Sequence, residues 1–310
     1  MLKLLSDSTL IKLTGYLTTF CQRLSPSAAL VLGKSIGIIA FYLFPVRRRI
    51  TLQNLRMALD KEKPEKELRA IAWRMSQNLG CMVIDFLRLP LVNLSNIDSY
   101  VQINGLANMT KALSLKRGVL VLTAHFGNFD LAAAAMALKG FPTSLITKHL
   151  SIPAFNNLWL KYRDKLGIKQ LYREGSLKTI IQRLKNNELI GFVIDQNTHR
   201  DEGVFVNFFG IPACTIPAVA VLAQRFNTPV VPMFIVRKKN GTHQAFIEPH
   251  LIFESRPTLE ESIVYNTQLY TNIIEKYIRR HPDHWTWLHY RWKTRPEGEP
   301  PIYQHKHRRK

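Results

Sequence analysis

Gly118-Val-Leu-Val-Leu-Thr-Ala-His125-Phe-Gly-Asn-Phe-Asp130 is where the chain declares its architecture. The first five residues are an unbroken apolar run, which reads as a strand covered on both faces. The run delivers His125 into a short turn holding Gly127 and Asn128, and Asp130 opens an Ala-rich helix. Residues just past the carboxyl end of such a strand are where open α/β sheets hold their ligands. A neutral imidazole takes a proton from a hydroxyl through one nitrogen while a carboxylate holds the N–H of the other. His and Asp five apart share no face of a continuous helix, so they meet only if the chain turns between them. The spacing alone equally fits a histidine beside a helix start whose Asp130 complements the dipole.

Outward from this stretch the pattern alternates. Strands are predicted at 100–103, 118–124, 143–147, 168–172, 189–194, 229–237 and 243–248. Helices are predicted at 50–60, 64–90, 129–139, 154–166, 176–187, 216–226 and 259–280. Pro90 ends the second helix, and Gly140 and Gly167 follow later ones where C-terminal glycines belong. The expectation is one α/β domain with a mixed or parallel sheet over residues 50–310, preceded by a membrane-associated helical region over 1–49.

The 310 residues carry a formal net charge of +21 and are 46% hydrophobic, enough for a sizeable core and a strong bias toward anionic partners. Cys21, Cys81 and Cys214 have no ligand spacing and read as free, buried thiols, so neither a metal nor a cofactor is predicted. Nucleic acid is disfavoured: no zinc finger or recognition-helix motif is present, and the charge is spread along the chain. An anionic membrane surface fits better. From Ala28 to Val46 only Lys34 is charged, close to the length that crosses a bilayer, though the segment also suits the interface. Arg47-Arg48-Arg49 stands where a secretory cleavage site would be needed and anchors that end to the cytoplasmic leaflet.

Other motifs fail on context. Gly33-Lys34-Ser35 lacks both the earlier glycine and the preceding strand of a phosphate loop, and no Gly-x-Ser-x-Gly elbow occurs. Arg163 and Arg173 flank the strand at 168–172 and are candidate phosphate forks. Asp195 and Gln196 end another buried strand on the same predicted edge as His125. Trp285, Trp287, Tyr290 and Trp292 read equally as an interfacial belt or as core.

His125-Phe-Gly-Asn-Phe-Asp130 resembles the His-x4-Asp/Glu box of the lysophospholipid acyltransferase superfamily, and the wider chain resembles its bacterial lipid A biosynthesis (lauroyl/myristoyl) acyltransferase branch. Further blocks agree in order: Arg47 to Leu55, Leu158 to Arg163 with Gly167, Asp195-Gln196, Phe208 to Ala213 with Thr215, and Trp287 to Lys293 with Pro296. Asp130 stands where that branch often has Glu, and Asn197 where it often has Asp. The resemblance implies a glycerol-3-phosphate acyltransferase-type fold at the cytoplasmic side of a bacterial inner membrane. It implies acyl transfer from a thioester, on acyl carrier protein or CoA, to a hydroxyl of a phosphorylated glycolipid such as a lipid A precursor. His125 is then the general base and Asp130 its orienter, with Gly127 and Asn128 beside the oxyanion and Arg163, Arg173, Asp195 and Gln196 on substrate. The alternatives are an acyl-CoA-dependent lysophospholipid or glycolipid acyltransferase, or a non-enzymatic basic, membrane-anchored binder of anionic polymers.

Overall fold

The structure is a computed structural model that describes residues 7–148, 152–172 and 175–303. Four helices lead: α1 (Asp7–Arg23), α2 (Pro26–Leu43), α3 (Pro45–Leu59) and α4 (Glu65–Arg88). The short α5 (Ile97–Tyr100), β1 (Val101–Asn104) and α6 (Leu106–Leu113) follow. Then come β2 (Val119–Thr123), α7 (Phe129–Leu138), β3 (Thr143–Thr147), α8 (Pro153–Lys165), β4 (Lys169–Tyr172), α9 (Leu177–Lys185) and β5 (Leu189–Val193). A hairpin of β6 (Val204–Phe208) and β7 (Ile211–Thr215) precedes α10 (Ala218–Phe226), β8 (Val230–Arg237), β9 (His243–Ile247) and α11 (Leu259–Arg280).

Seven strands form one sheet in the order β1-β9-β8-β2-β5-β3-β4. The run from β8 to β4 is parallel, while β9 lies antiparallel to β8 and carries β1 parallel beside it. All five residues of β2 are buried because both faces are covered. Leu120 and Leu122 join a core built with α3, α4, α9, α10 and α11. Val119 and Val121 join the opposite core, where the alanines of α7 and Tyr162 of α8 sit. The sheet therefore has helices on both sides, as expected for a mixed α/β domain. Thr123 pairs with Val193, so the carboxyl ends of β2 and β5 emerge side by side.

The expected strands are present within a residue or two. The β6–β7 hairpin stands where no strand was expected. Its two-residue turn, Phe209-Gly210, has φ of 56° and 77°, the positive values that a tight hairpin demands. Phe209 tolerates this because its N–H donates to Glu275 and its ring is buried.

Two N-terminal expectations change. Residues 28–46 are not one segment: Phe44, before Pro45, leaves the helical region at φ −113° and ψ 70°, ending α2 and starting α3. The expected boundary between residues 49 and 50 therefore falls inside α3. α2 also packs intimately on α4. A Cβ on Gly37 would lie 2.1 Å from the Ser76 carbonyl oxygen, and one on Gly80 2.2 Å from that of Gly33. Only glycine lets two helix backbones approach so closely. The Ser76 hydroxyl donates to the Gly37 carbonyl at 2.7 Å. The opposite side of α2 leaves Val31, Ile39, Tyr42 and Leu43 exposed, continuing into Phe44 and Val46, and α1 exposes Leu13, Tyr16, Leu17 and Phe20.

Candidate active site

His125 lies two residues beyond β2 and Asp195 two beyond β5, so the register of these neighbours brings the two together. Nδ1 of His125 is 3.0 Å from Oδ1 of Asp195, and the His125 backbone N–H donates to the same oxygen at 3.0 Å. The Trp285 indole donates to Oδ2 at 2.7 Å. Three N–H groups thus converge on a carboxylate that is itself buried. Burial opposes the charge on Asp195, but His125 and the hydrogen bonds outweigh it and hold the carboxyl well below its usual range. For His125, burial likewise opposes the charged form, and the Asp195 carboxylate overcomes it, so the imidazole titrates above the usual histidine value.

With Asp195 accepting the Nδ1 proton, Nε2 is left as the base-bearing nitrogen. It lies 3.2 Å from the Gln196 side-chain amide, which is oriented to donate to it. Arg291, fully buried, donates to the carbonyls of Gln196 at 3.2 Å and Cys214 at 2.8 Å, fixing the backbone beneath that amide. The neighbouring Asn197 N–H donates to Nε2 of His289 at 3.0 Å. Burial foremost pushes His289 down to about 4, so it stays neutral beside the dyad. Asn54 of α3 donates at 2.8 Å to the carbonyls of both Trp287 and His289, tying the tryptophan segment to the site. Trp285, Trp287 and Trp292 are fully buried; these rings are core, with Trp285 also a partner of Asp195.

The structure gives several of the other expected site residues different partners. Among the described residues Asp130 makes no hydrogen bond to His125. It is the second residue of α7 and pairs with α8: Arg163 Nε donates to it at 2.6 Å, Arg163 Nη2 lies 2.5 Å away, and the Trp159 indole donates at 3.1 Å. The remaining reach of Arg163 goes to Thr147 at 2.8 Å and Gln170 at 3.0 Å, with its guanidinium stacked 3.7 Å over the Trp159 ring. Arg163 is 1% exposed, so the fork expected to grip a phosphate grips Asp130 instead. Gly127 has φ of 56°, and its N–H donates to the His284 carbonyl at 2.8 Å, which commits the proposed oxyanion donor to the fold. Asn128 is buried: its carbonyl oxygen caps α7 through the Leu131 N–H at 3.1 Å, and its amide donates to Asp85 at 2.9 Å. Arg173 lies outside the described residues.

Two apolar spaces lie near this edge, one on each face of the sheet. A narrow one lies between the sheet and α7, lined by Thr123, Phe129, Ala132, Ala133 and Gly191 among others, and the Phe129 ring stands edge-on to His125. A groove of about 500 Å³ runs from Gln196 and Asn197 between α9 and α10, past Leu177, Ile180, Val221 and Leu222.

The site is thus a histidine held by a buried carboxylate beside an apolar groove, at the carboxyl edge of an α/β sheet. The chain belongs to the bacterial lipid A biosynthesis acyltransferase family, whose model matches residues 9–294, and it is an O-acyltransferase. The lipid A biosynthesis palmitoleoyltransferase of Escherichia coli strain K12 is 28% identical over 279 residues, covering 88% of this chain and 87% of its own. The lauroyltransferase of the same strain is 26% identical over 276 residues, with the same coverages of 88% and 87%. The crystal structure of a 1-acyl-sn-glycerophosphate acyltransferase from Thermotoga maritima aligns over 81% of this chain and 96% of its own, with TM-score 0.35 and 16% identity.

Proposed function

We propose that this enzyme transfers a fatty acyl group from a thioester carrier to a hydroxyl of a lipid A precursor at the cytoplasmic face of a bacterial inner membrane. The observation that carries the reading is His125 held through Nδ1 by buried Asp195, with Nε2 turned toward the groove end at Gln196. In the reaction, Nε2 takes the acceptor's hydroxyl proton as the oxygen attacks the thioester carbonyl. The tetrahedral intermediate collapses, the C–S bond breaks, and the imidazolium returns the proton to the leaving thiolate. Asp195 fixes the tautomer and stabilises the imidazolium. The Gln196 amide, displaced from Nε2 by the incoming hydroxyl, donates instead to the developing oxyanion. Asp130 and Arg163 lock the start of α7 to α8, and the groove between α9 and α10 takes acyl chain.

The donor is acyl carrier protein, whose acidic surface suits a chain of net charge +21. Membrane attachment runs through the apolar side of α1 and α2, with Arg47, Arg48 and Arg49 at its edge. α2 is also long and apolar enough to cross a membrane. The fold reading is the glycerol-3-phosphate acyltransferase type. The test is mass spectrometry of lipids from cells with and without the gene: the reading expects a lipid A species lighter by one acyl chain when the gene is lost. An unchanged lipid A with an altered phospholipid would overturn it. The purified enzyme, offered carrier-protein and CoA thioesters side by side, should turn over the first faster.

A further inference from the structure

The loop bearing His125 is held from two sides. On one, Gly127 N–H meets the His284 carbonyl, Thr286 N–H meets the His125 carbonyl at 3.0 Å, and Phe126 bridges Trp285. On the other, the side-chain anchor is the Asn128 amide on Asp85 of α4. Asp85 is itself set by Arg237, at the end of β8, whose buried guanidinium binds both of its oxygens. The Arg237 backbone N–H donates to Nε2 of His284 at 3.0 Å, and His284 Nδ1 lies 2.8 Å from Asp283. Asn78 of α4 donates to the Asp283 carbonyl at 2.9 Å. A closed circuit therefore runs from α4 through Arg237 and residues 283–286 to the catalytic loop and back to α4. Asp85 and Arg237 make no hydrogen bond to His125, Asp195 or Gln196 among the described residues.

Because Asn128 uses its carbonyl oxygen to cap α7, its amide must find an acceptor elsewhere, and Asp85 supplies it. Removing that acceptor leaves a buried amide unpaired. The amide is then free to turn over, which would withdraw the cap from α7 at the residue joining His125 to that helix.

We propose that Asp85, held by Arg237, is a positioning residue: it fixes the orientation of Asn128 and so sets His125 against Asp195, tying the catalytic loop to the helix on which membrane-facing α2 is docked. The inference rests on His125 being the base. A wild-type enzyme inactive on every thioester would sink that reading, whereas the comparisons below presuppose an active one.

The experiment uses the full-length chain in lipid, with an acyl carrier protein thioester and a lipid A precursor, and reads kcat per folded molecule beside the melting temperature. Asp85→Ala should lower kcat by at least about tenfold with KM within about twofold. Asp85→Asn keeps an oxygen for the Asn128 amide but strands the Arg237 cation. It should melt lower than wild type yet keep kcat within about threefold. Asp85→Leu with Arg237→Leu removes the whole ion pair and strands no cation, so it should melt above Asp85→Ala while its kcat falls as in Asp85→Ala. Hydrogen exchange across residues 125–131 should quicken in the alanine and leucine variants only. A kcat that simply follows the melting temperature, with the double variant active and Asp85→Asn impaired, would overturn the proposal. So would Asp85→Ala with unchanged kcat.

Discussion

At the scale of single residues, the His125–Asp195 pair makes two predictions of opposite sign. Asp195 raises the His125 pKa, so the neutral base is lost at a higher pH than the reference of about 6.5. The rate should fall on the acid side through that raised value, and Asp195→Asn should move the limb to lower pH while cutting kcat by roughly 10²–10⁴. The same substitution at Asp130 should weaken the Arg163 link and leave the limb in place; a pH–rate profile of the three enzymes checks both. For stability the sign reverses. A raised folded pKa stabilises the fold below about 6.5 and is lost as pH rises through the folded value. His243 and His289 work the other way. Burial foremost pushes both to about 4, so the unfolded chain binds protons that the folded one refuses. Between about 6.5 and 4, where the His125 contribution is already constant, they should lower stability as pH falls, as urea titrations across that window would show. The histidine was legible in the sequence; the carboxylate that the structure sets beside it was not the expected one. Asp130 is local, while Asp195 is 70 residues away, and only the adjacency of β2 and β5 makes them neighbours. A signal was present: each residue stands within three positions of the end of an apolar run.

At the scale of elements, the buried parallel strands were readable because continuous apolar runs have no other place in a folded chain. The β6–β7 hairpin was not. Pro212 argues against a strand, and Phe209-Gly210 is not among the usual hairpin turns. The α2–α4 crossing was hidden for another reason, since nothing in the sequence ties Gly33 and Gly37 to Gly80 until the facing backbones are seen. Gly37→Leu should drive the helices apart, costing about 1–3 kcal/mol, and should quicken proteolysis between α1 and α3. Thermal melts in detergent and limited digestion measure both; an unchanged melt would mean that α2 does not rest on α4.

For the whole molecule, the exposed apolar side of α1 and α2 and the basic charge are what the proposed seat on an anionic bilayer rests on. High salt should fail to strip the full-length chain from membranes, since screening removes the charge attraction and leaves the apolar contact. Ile39→Asp with Leu43→Asp should release it, because both side chains are exposed and neither supports the core. Retention of that variant after a salt wash would place the attachment elsewhere. The central claim is that this molecule moves an acyl chain with His125 as its base. Its most direct test is a mass-spectrometric assay of the purified chain in lipid, given an acyl carrier protein thioester and a lipid A precursor. The wild type should add one acyl mass to the precursor. His125→Ala should lose about 10²–10⁴ of that turnover per folded molecule. A His125→Ala enzyme that keeps more than about a tenth of wild-type turnover would contradict the account.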